Sequence, residues 1–244
     1  CVVATMTYPE TIEFLYARLP MFTRVGGVAI KKGLSNILAF SETLENPHNR
    51  FRTIHVAGTN GKGSVSHMLA AVLQQAGYKT GLYTSPHLKD FRERIRINGE
   101  MMDETAVKDF VESNMQTIMT IEPSFFEVTV AMAFDYFAEQ QVDVAVIEVG
   151  LGGRLDSTNI IHPDLSVITN IGFVHVDLLG NTLGEIAFEK AGIIKEEVPV
   201  LIGEYVDETR KVFELQANKL HAGLRYAMDE VAIISSEREQ EKLS

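Results

Sequence analysis

At 244 residues the chain can bury a sizeable core as one large or two small domains, and its 45 % apolar against 23 % charged composition is that of a soluble globular protein. The 33 acidic and 22 basic residues leave a net charge of −11, which argues against a nucleic-acid partner but not against ATP bound by a local loop. Cys1 is the one cysteine, so no internal disulfide forms; with no apolar run of membrane-span length and no basic leader before Met6, a plausible native start, a cytoplasmic protein with no membrane partner is expected.

Strand-like and helix-like runs alternate along the chain, so the expected fold class is α/β: a mostly parallel sheet flanked by helices. Phe51 to Ala57 reads as a strand, Val65 to Ala76 as a helix ending at Gly77, and Thr80 to Thr84 as the next strand. "FRERIRINGE" alternates with period two around Asn98-Gly99, a hairpin signal. A single helix is expected from Asp103, its N-cap, to about Ile121. Ser124 opens another with Glu127 in capping-box spacing. "VDVAVIEVG" has the near-continuous apolar character of a central parallel strand, and "LSVITNI" repeats it. Thr182 and Glu185 start a helix that Gly192 stops; "VPVLIGE" is a strand, Asp207 to Leu220 a helix, and "ISSEREQEKLS" a fraying polar tail. With no repeat or linker, residues 1–244 read as one domain.

The stretch "HVAGTNGKGS", His55 to Ser64, places a glycine loop between a strand and a helix. A helix N-terminus offers unpaired N–H groups and partial positive charge, so such a loop binds anions. Gly58, Gly61 and Gly63 permit close backbone approach, and Lys62 can reach the β- and γ-phosphates as a point charge. The standard P-loop spacing is not met: it needs glycine where Val56 stands, and Gly63 intervenes between Lys62 and Ser64. The alternative is a glycine-rich turn with an exposed lysine. The order strand, loop, helix favours a nucleotide site made of Gly58, Thr59, Asn60, Gly61, Lys62, Gly63 and Ser64.

"GTNGKGS" resembles the ATP loop of the Mur ligase superfamily, whose members activate carboxylates with ATP to form amide bonds. Three further stretches accompany it in order: "YTSPHLKDFRERIRING" from Tyr83, "EVGLGGRLDSTN" from Glu148 and "LLGNTLGEIAFEKAGIIK" from Leu178. Together they resemble the folylpolyglutamate synthase/dihydrofolate synthase family over about residues 50 to 200. The resemblance implies a P-loop-containing, Mur-ligase-like central domain and a reaction in two steps. A substrate carboxylate takes the γ-phosphoryl of ATP, and the amine of glutamate then displaces phosphate from the acyl phosphate.

It also implies site residues. The family's Mg²⁺ ligands fall on Ser85, Glu148 and His175, and its carbamylated lysine, which suits a second Mg²⁺, on Lys190. Lys62, Lys190 and His175 are the catalytic candidates. Glu148 supports this from its own setting, as the one charge near the carboxyl end of an apolar strand, where it must be ion-paired or metal-bound. Ser85 alone reads equally as a turn former, His175 as a structural histidine, and Lys190 as a surface lysine paired with Glu189 or Glu185. Family members have Asp-His where this chain has Val174-His175; Asp177 is close enough in sequence to compensate. The pterin contacts map onto Phe125, Phe126 and Glu127 and onto Leu155, Asp156 and Ser157, with Phe126 as platform and Asp156 on the ring edge. Arg92 and Arg94 are expected to steer anionic glutamate tails.

The substrates implied are ATP, glutamate, and dihydropteroate or a folate, acted on by a monomer. Full-length members of the family carry a C-terminal domain that is not evident in this chain. The chain therefore reads as the ATPase domain of such a ligase, probed against two alternatives: a nucleotide- or folate-binding module inactive by itself, and a related Mur-type ligase for another acid.

Overall fold

A computed structural model describes residues 6–20 and 33–231 of the chain. Cys1 and the polar tail from Ile234 lie outside the described residues. Eight strands form one sheet: β1 (Arg52–Ala57), β2 (Thr80–Tyr83), β3 (Ile95–Ile97), β4 (Glu100–Met101), β5 (Val144–Glu148), β6 (Leu165–Ile168), β7 (Val200–Ile202) and β8 (Leu224–Tyr226). Their order across the sheet is β4-β3-β2-β5-β1-β6-β7-β8. From β2 to β8 every pairing is parallel, and β3 and β4 add an antiparallel edge.

The helices are α1 (Tyr8–Arg18), α2 (Ser35–Thr43), α3 (Lys62–Gln75), α4 (Glu104–Ser113), α5 (Met115–Ile121), α6 (Phe125–Glu139), α7 (Val176–Leu179), α8 (Leu183–Ala191), α9 (Asp207–Lys219) and α10 (Ala227–Glu230). From β1 the chain runs to β2 in one direction, through α3, and later leaves β6 for β7 in the other, through α8. Right-handed crossovers then place the two helices on opposite faces. The side chains agree. Val56, Leu82, Val146 and Val167 pack with Ala70 of α3. The alternate positions Ala57 and Ile168 pack with Ala187 and Ala191 of α8 and Phe213 of α9. On that second face, Tyr83, Ala145 and Ile147 meet α6.

Helix α6 is the largest single contributor to the core: ten of its fifteen residues are buried. Its capping box is present in full, with the Ser124 amide donating to Glu127 and the Glu127 amide to Ser124 Oγ. Truncating its fully buried Phe134 to alanine would cost about 3–5 kcal/mol. The Thr182–Glu185 box likewise starts α8, and Asn98 and Gly99, both at positive φ, turn β3 into β4.

Three local expectations are corrected. Helix α3 begins at Lys62, inside the glycine loop, because left-handed Gly61 ends the loop and is its N-cap. The helix expected from Asp103 to Ile121 is two helices, and Asp103 makes no side-chain cap. The break is at Asn114, whose side-chain amide donates to the Phe110 carbonyl at 2.9 Å and competes with helix continuation. Gly192 ends α8 with ordinary right-handed dihedrals. It is glycine for space, since a Cβ there would lie 2.3 Å from Arg154 Cβ.

Candidate active site

Strand order reverses at β1, and open parallel sheets place ligands outside the carboxyl ends of the strands at such a point, here β5, β1 and β6. The loop Gly58–Gly61 leaves β1 there and enters α3. It is held by the segment after β6. Thr59 N donates to Asn170 O at 3.0 Å and Asn60 N to Asn170 Oδ1 at 2.9 Å. Thr169 Oγ1 donates to Asn60 O at 2.6 Å, and Thr59 Oγ1 and the Gly172 backbone exchange hydrogen bonds. Gly58, at φ +142, passes so near Thr169 that a Cβ would lie 1.9 Å from its Oγ1. Because Gly61 has no side chain, the first turn of α3 carries no side-chain cap and its amides face the loop mouth.

Two lysines flank the loop. Lys62 Nζ donates to Gly58 O and Thr59 O at 3.1 and 3.3 Å. Lys190, from α8, is only 4 % exposed and donates to the same Gly58 carbonyl at 2.9 Å. Burial, reinforced by the positive charge of Lys62, pulls the Lys190 ammonium down to about 8, against a partial counter-effect from Asp156. Neither Glu189 nor Glu185 pairs with it: Glu189 binds Arg154 at 2.8 Å, and Glu185 caps α8. A lysine lowered in this way stays mostly charged at neutral pH but has a far larger neutral fraction than an ordinary lysine, and the neutral amine is the form that reacts with CO₂.

Glu148 closes the other side. It is buried at the end of β5, and Ser85 N donates to its Oε2 at 3.2 Å. Burial raises its pKa, opposed by the Ser85 hydrogen bond and by Lys62. A Cβ on Gly63 would lie 3.8 Å from both carboxylate oxygens, so the carboxylate lies against the first turn of α3. Glu148 with the neighbouring Ser85 hydroxyl is a hard oxygen set that fits Mg²⁺ held beside nucleotide phosphates. His175 stands at an exposed left-handed position just before α7. Among the described residues no trio of His, Cys, Asp or Glu side chains converges with metal-binding geometry. Val174 is exposed, and Asp177 lies in the first turn of α7.

The expected substrate residues divide. Phe126 covers Gly150, where a Cβ would fall 2.5 Å from the ring, and it packs at 6.2 Å from Tyr83. Phe125 is buried, with Arg94 over its ring at 5.3 Å and Tyr16 stacked at 5.5 Å. Glu127 is buried in its cap. Leu155 is exposed and Ser157 half-buried, while Asp156 between them turns inward. The Asp156 carboxylate accepts from Leu151 N at 2.9 Å, Thr158 N at 3.0 Å and Thr158 Oγ1 at 2.5 Å, so its first role is to shape loop 150–158. Arg92 is paired with Asp90 at 2.8 Å and approaches Glu104 at 3.6 Å. Arg94 is buried and donates to His87 Nδ1 at 2.8 Å. Both guanidiniums therefore already have internal partners. Sequence reasoning did not find Thr169, Asn170 and Gly172, although "TNIG" directly after a strand in a nucleotide-binding sheet was an available signal.

Residues 56–243 match the model of the Mur ligase middle domain. The chain belongs to the Mur ligase family. Within that family it is similar to a Bacillus subtilis dihydrofolate synthase/folylpolyglutamate synthase, 41 % identical over 237 residues that cover 94 % of this chain and 53 % of the relative. It also resembles the crystal structure of a Thermotoga maritima folylpolyglutamate synthase at TM-score 0.81 and 43 % identity, covering 90 % of this chain and 49 % of that one. A folylpolyglutamate synthase complex with AMPPCP and folate superposes at TM-score 0.82 and 38 % identity, over 91 % of this chain and 54 % of that one. The expected resemblance to the folylpolyglutamate synthase/dihydrofolate synthase family and the expected mostly parallel Mur-ligase sheet are both found. This Mur ligase chain spans about half the length of the curated relatives it matches. No helix among its described residues is long and apolar enough to cross a membrane.

Proposed function

We propose that the chain carries the nucleotide half of an ATP-dependent acid–amino-acid ligase that joins L-glutamate to dihydropteroate or to the glutamate tail of a folate. The observation that carries this reading is the clamped loop Gly58–Ser64 with Lys190 on one side and Glu148 on the other. The folate-side assignment draws on the relatives, one of which was solved with an ATP analogue and folate.

In this reading the first-turn amides of α3 and Lys62 hold the β- and γ-phosphates and stabilise charge gathering on the transferred phosphoryl group. Glu148 and Ser85 would hold Mg²⁺, which would neutralise phosphate charge, with His175 as the third ligand that the family resemblance assigns. A carbamate on Lys190 would supply oxygen ligands for a second Mg²⁺. The acceptor carboxylate attacks the γ-phosphorus, ADP leaves, and the glutamate amine then displaces phosphate from the acyl phosphate. Phe126 and loop 150–158 form the acceptor side, and the protein works as a cytoplasmic monomer.

The reading predicts that this chain binds both Mg-ATP and the pteroate acceptor. Calorimetric titration with Mg-ATP, with and without dihydropteroate, tests this. Binding of both ligands supports it. Absence of ATP binding defeats the phosphate-loop reading, and ATP binding without pteroate binding favours a related ligase for another acid.

A further inference from the structure

We propose that His55 is a positioning residue for the acceptor side of the site: through Thr158 it anchors the Asp156 carboxylate, and with it loop 150–158, to the strand that carries the phosphate loop. The inference deepens the function proposed above and rests on its assignment of that loop.

His55 is fully buried on β1, three residues before Gly58, between Ile147 of β5 and Ser166 of β6. Its Nε2 lies 2.9 Å from Thr158 Oγ1, and its Nδ1 has no hydrogen-bond partner. Thr158 Oγ1 has a single proton, and its 2.5 Å contact with Asp156 Oδ1 directs that proton to the carboxylate. Oγ1 must then accept from His55. This fixes the imidazole as the Nε2–H tautomer and leaves Nδ1 as an unpaired acceptor rather than an unpaired donor. The chain of donors runs in one direction, His55 to Thr158 to Asp156.

An aliphatic side chain would fill this position of a parallel strand without leaving a buried nitrogen unsatisfied. What the histidine adds is one directed hydrogen bond to the group that shapes loop 150–158. Asp156 gathers the amides of Leu151 and Thr158, so it sets the path of the backbone on both sides of Leu155. The same loop is tied to α8, since Arg154 N donates to Glu189 O at 2.8 Å and Asn159 Nδ2 to Gly192 O at 3.0 Å. Strand β1 thus fixes the nucleotide loop through its covalent continuation and the acceptor loop through one imidazole.

The test compares His55→Leu, which removes the donor, with His55→Gln, whose side-chain NH₂ can replace Nε2–H. Amide hydrogen exchange at Leu151 and Thr158, thermal midpoint, and affinities for Mg-AMPPCP and dihydropteroate are measured on each. Expected for His55→Leu is exchange at those two amides faster by about tenfold, with strand amides of β1 and β5 unchanged. Its dihydropteroate affinity falls by about tenfold while Mg-AMPPCP affinity stays within about twofold, and His55→Gln restores both. Unaltered exchange at Leu151 and Thr158 overturns the anchor. Faster exchange throughout the sheet in both variants, with a lowered midpoint, also overturns it by making His55 plain core. A loosened loop with unchanged dihydropteroate affinity overturns the link to substrate. If the unmodified chain binds Mg-AMPPCP but no dihydropteroate, the acceptor assignment and that link fall together, and exchange alone decides the anchor.

Discussion

Lys190 and Gly58, 132 positions apart in sequence, share a 2.9 Å hydrogen bond from the lysine ammonium to the loop carbonyl. A buried cation at the hinge of a phosphate loop has a measurable signature. Its pKa lies at about 8 rather than the ordinary 10.5, so the fold penalises the charged form. The penalty is complete below about 8 and disappears as pH rises to 10.5. The stability of the parent chain relative to Lys190→Met should therefore rise across that window, by about 3 kcal/mol at most. Urea unfolding of the pair through the window measures it, and parallel curves would remove Lys190 from the buried-cation role. In bicarbonate, the intact mass of the parent, but not of the variant, should increase by one CO₂.

Glu148→Gln separates metal binding from folding. Burial already disfavours the carboxylate charge, and the amide oxygen can still accept from Ser85 N. Stability should change by no more than about 1 kcal/mol, while nucleotide binding loses its dependence on Mg²⁺. Calorimetry with ATP at varied Mg²⁺ reads this, and Mg²⁺-dependent binding by the variant would refute the assignment.

Gly58 and Gly61 are both at positive φ but differ in the space around them. A Cβ on Gly58 would collide with Thr169, whereas one on Gly61 would meet nothing within 4 Å. Gly58→Ala should cost about 3 kcal/mol and weaken Mg-ATP by about a hundredfold; Gly61→Ala should cost only about 1 kcal/mol of backbone strain. Equal effects in denaturation and titration would show that strain, rather than the clamp, sets the loop.

Gly150→Ala drives a methyl group into the Phe126 ring, which must move off its present seat. Dihydropteroate affinity should drop by about tenfold with Mg-ATP affinity intact. A loss of both in proportion would mean that Phe126 serves only as core.

His55 gives an acid-side prediction. Burial, with Lys195 nearby, lowers its pKa to about 3 from the ordinary 6.5. The folded state needs the neutral ring, so this contribution is present above 6.5 and is lost as pH falls toward 3. The parent should lose stability there at up to about 1.4 kcal/mol per pH unit more steeply than His55→Gln, measured by urea unfolding through that window.

The features legible in the sequence were those written in short, fixed spacings. The boxes Ser124–Glu127 and Thr182–Glu185, the Asn98-Gly99 turn and the apolar run ending in Glu148 each carry their physical cause within a few residues. Helix α1 carried the same kind of signal, Thr7 and Glu10 around Pro9, but was not read from it. What could not be read depended on distance. The Asn60 amide meets Asn170 across 110 positions, and no local pattern announces that pairing. Glu127 shows the opposite difficulty: one residue type suited both a cap and a substrate contact, and the fold places it in the cap. Asn114 was invisible because a helix break by one side-chain amide leaves the apolar periodicity on either side intact.

The reciprocal ties between Thr59, Asn60, Thr169, Asn170 and Gly172 have a thermodynamic consequence for nucleotide affinity. A flexible glycine loop would surrender conformational entropy on closing around a triphosphate, roughly 1–2 kcal/mol for each residue fixed. Here that loss occurs during folding, together with the ordering of β6, and does not recur at each encounter with ligand. The affinity of the loop is therefore coupled to a segment that need not touch a phosphate: changes after β6 that unfreeze Asn170 should weaken binding through entropy alone.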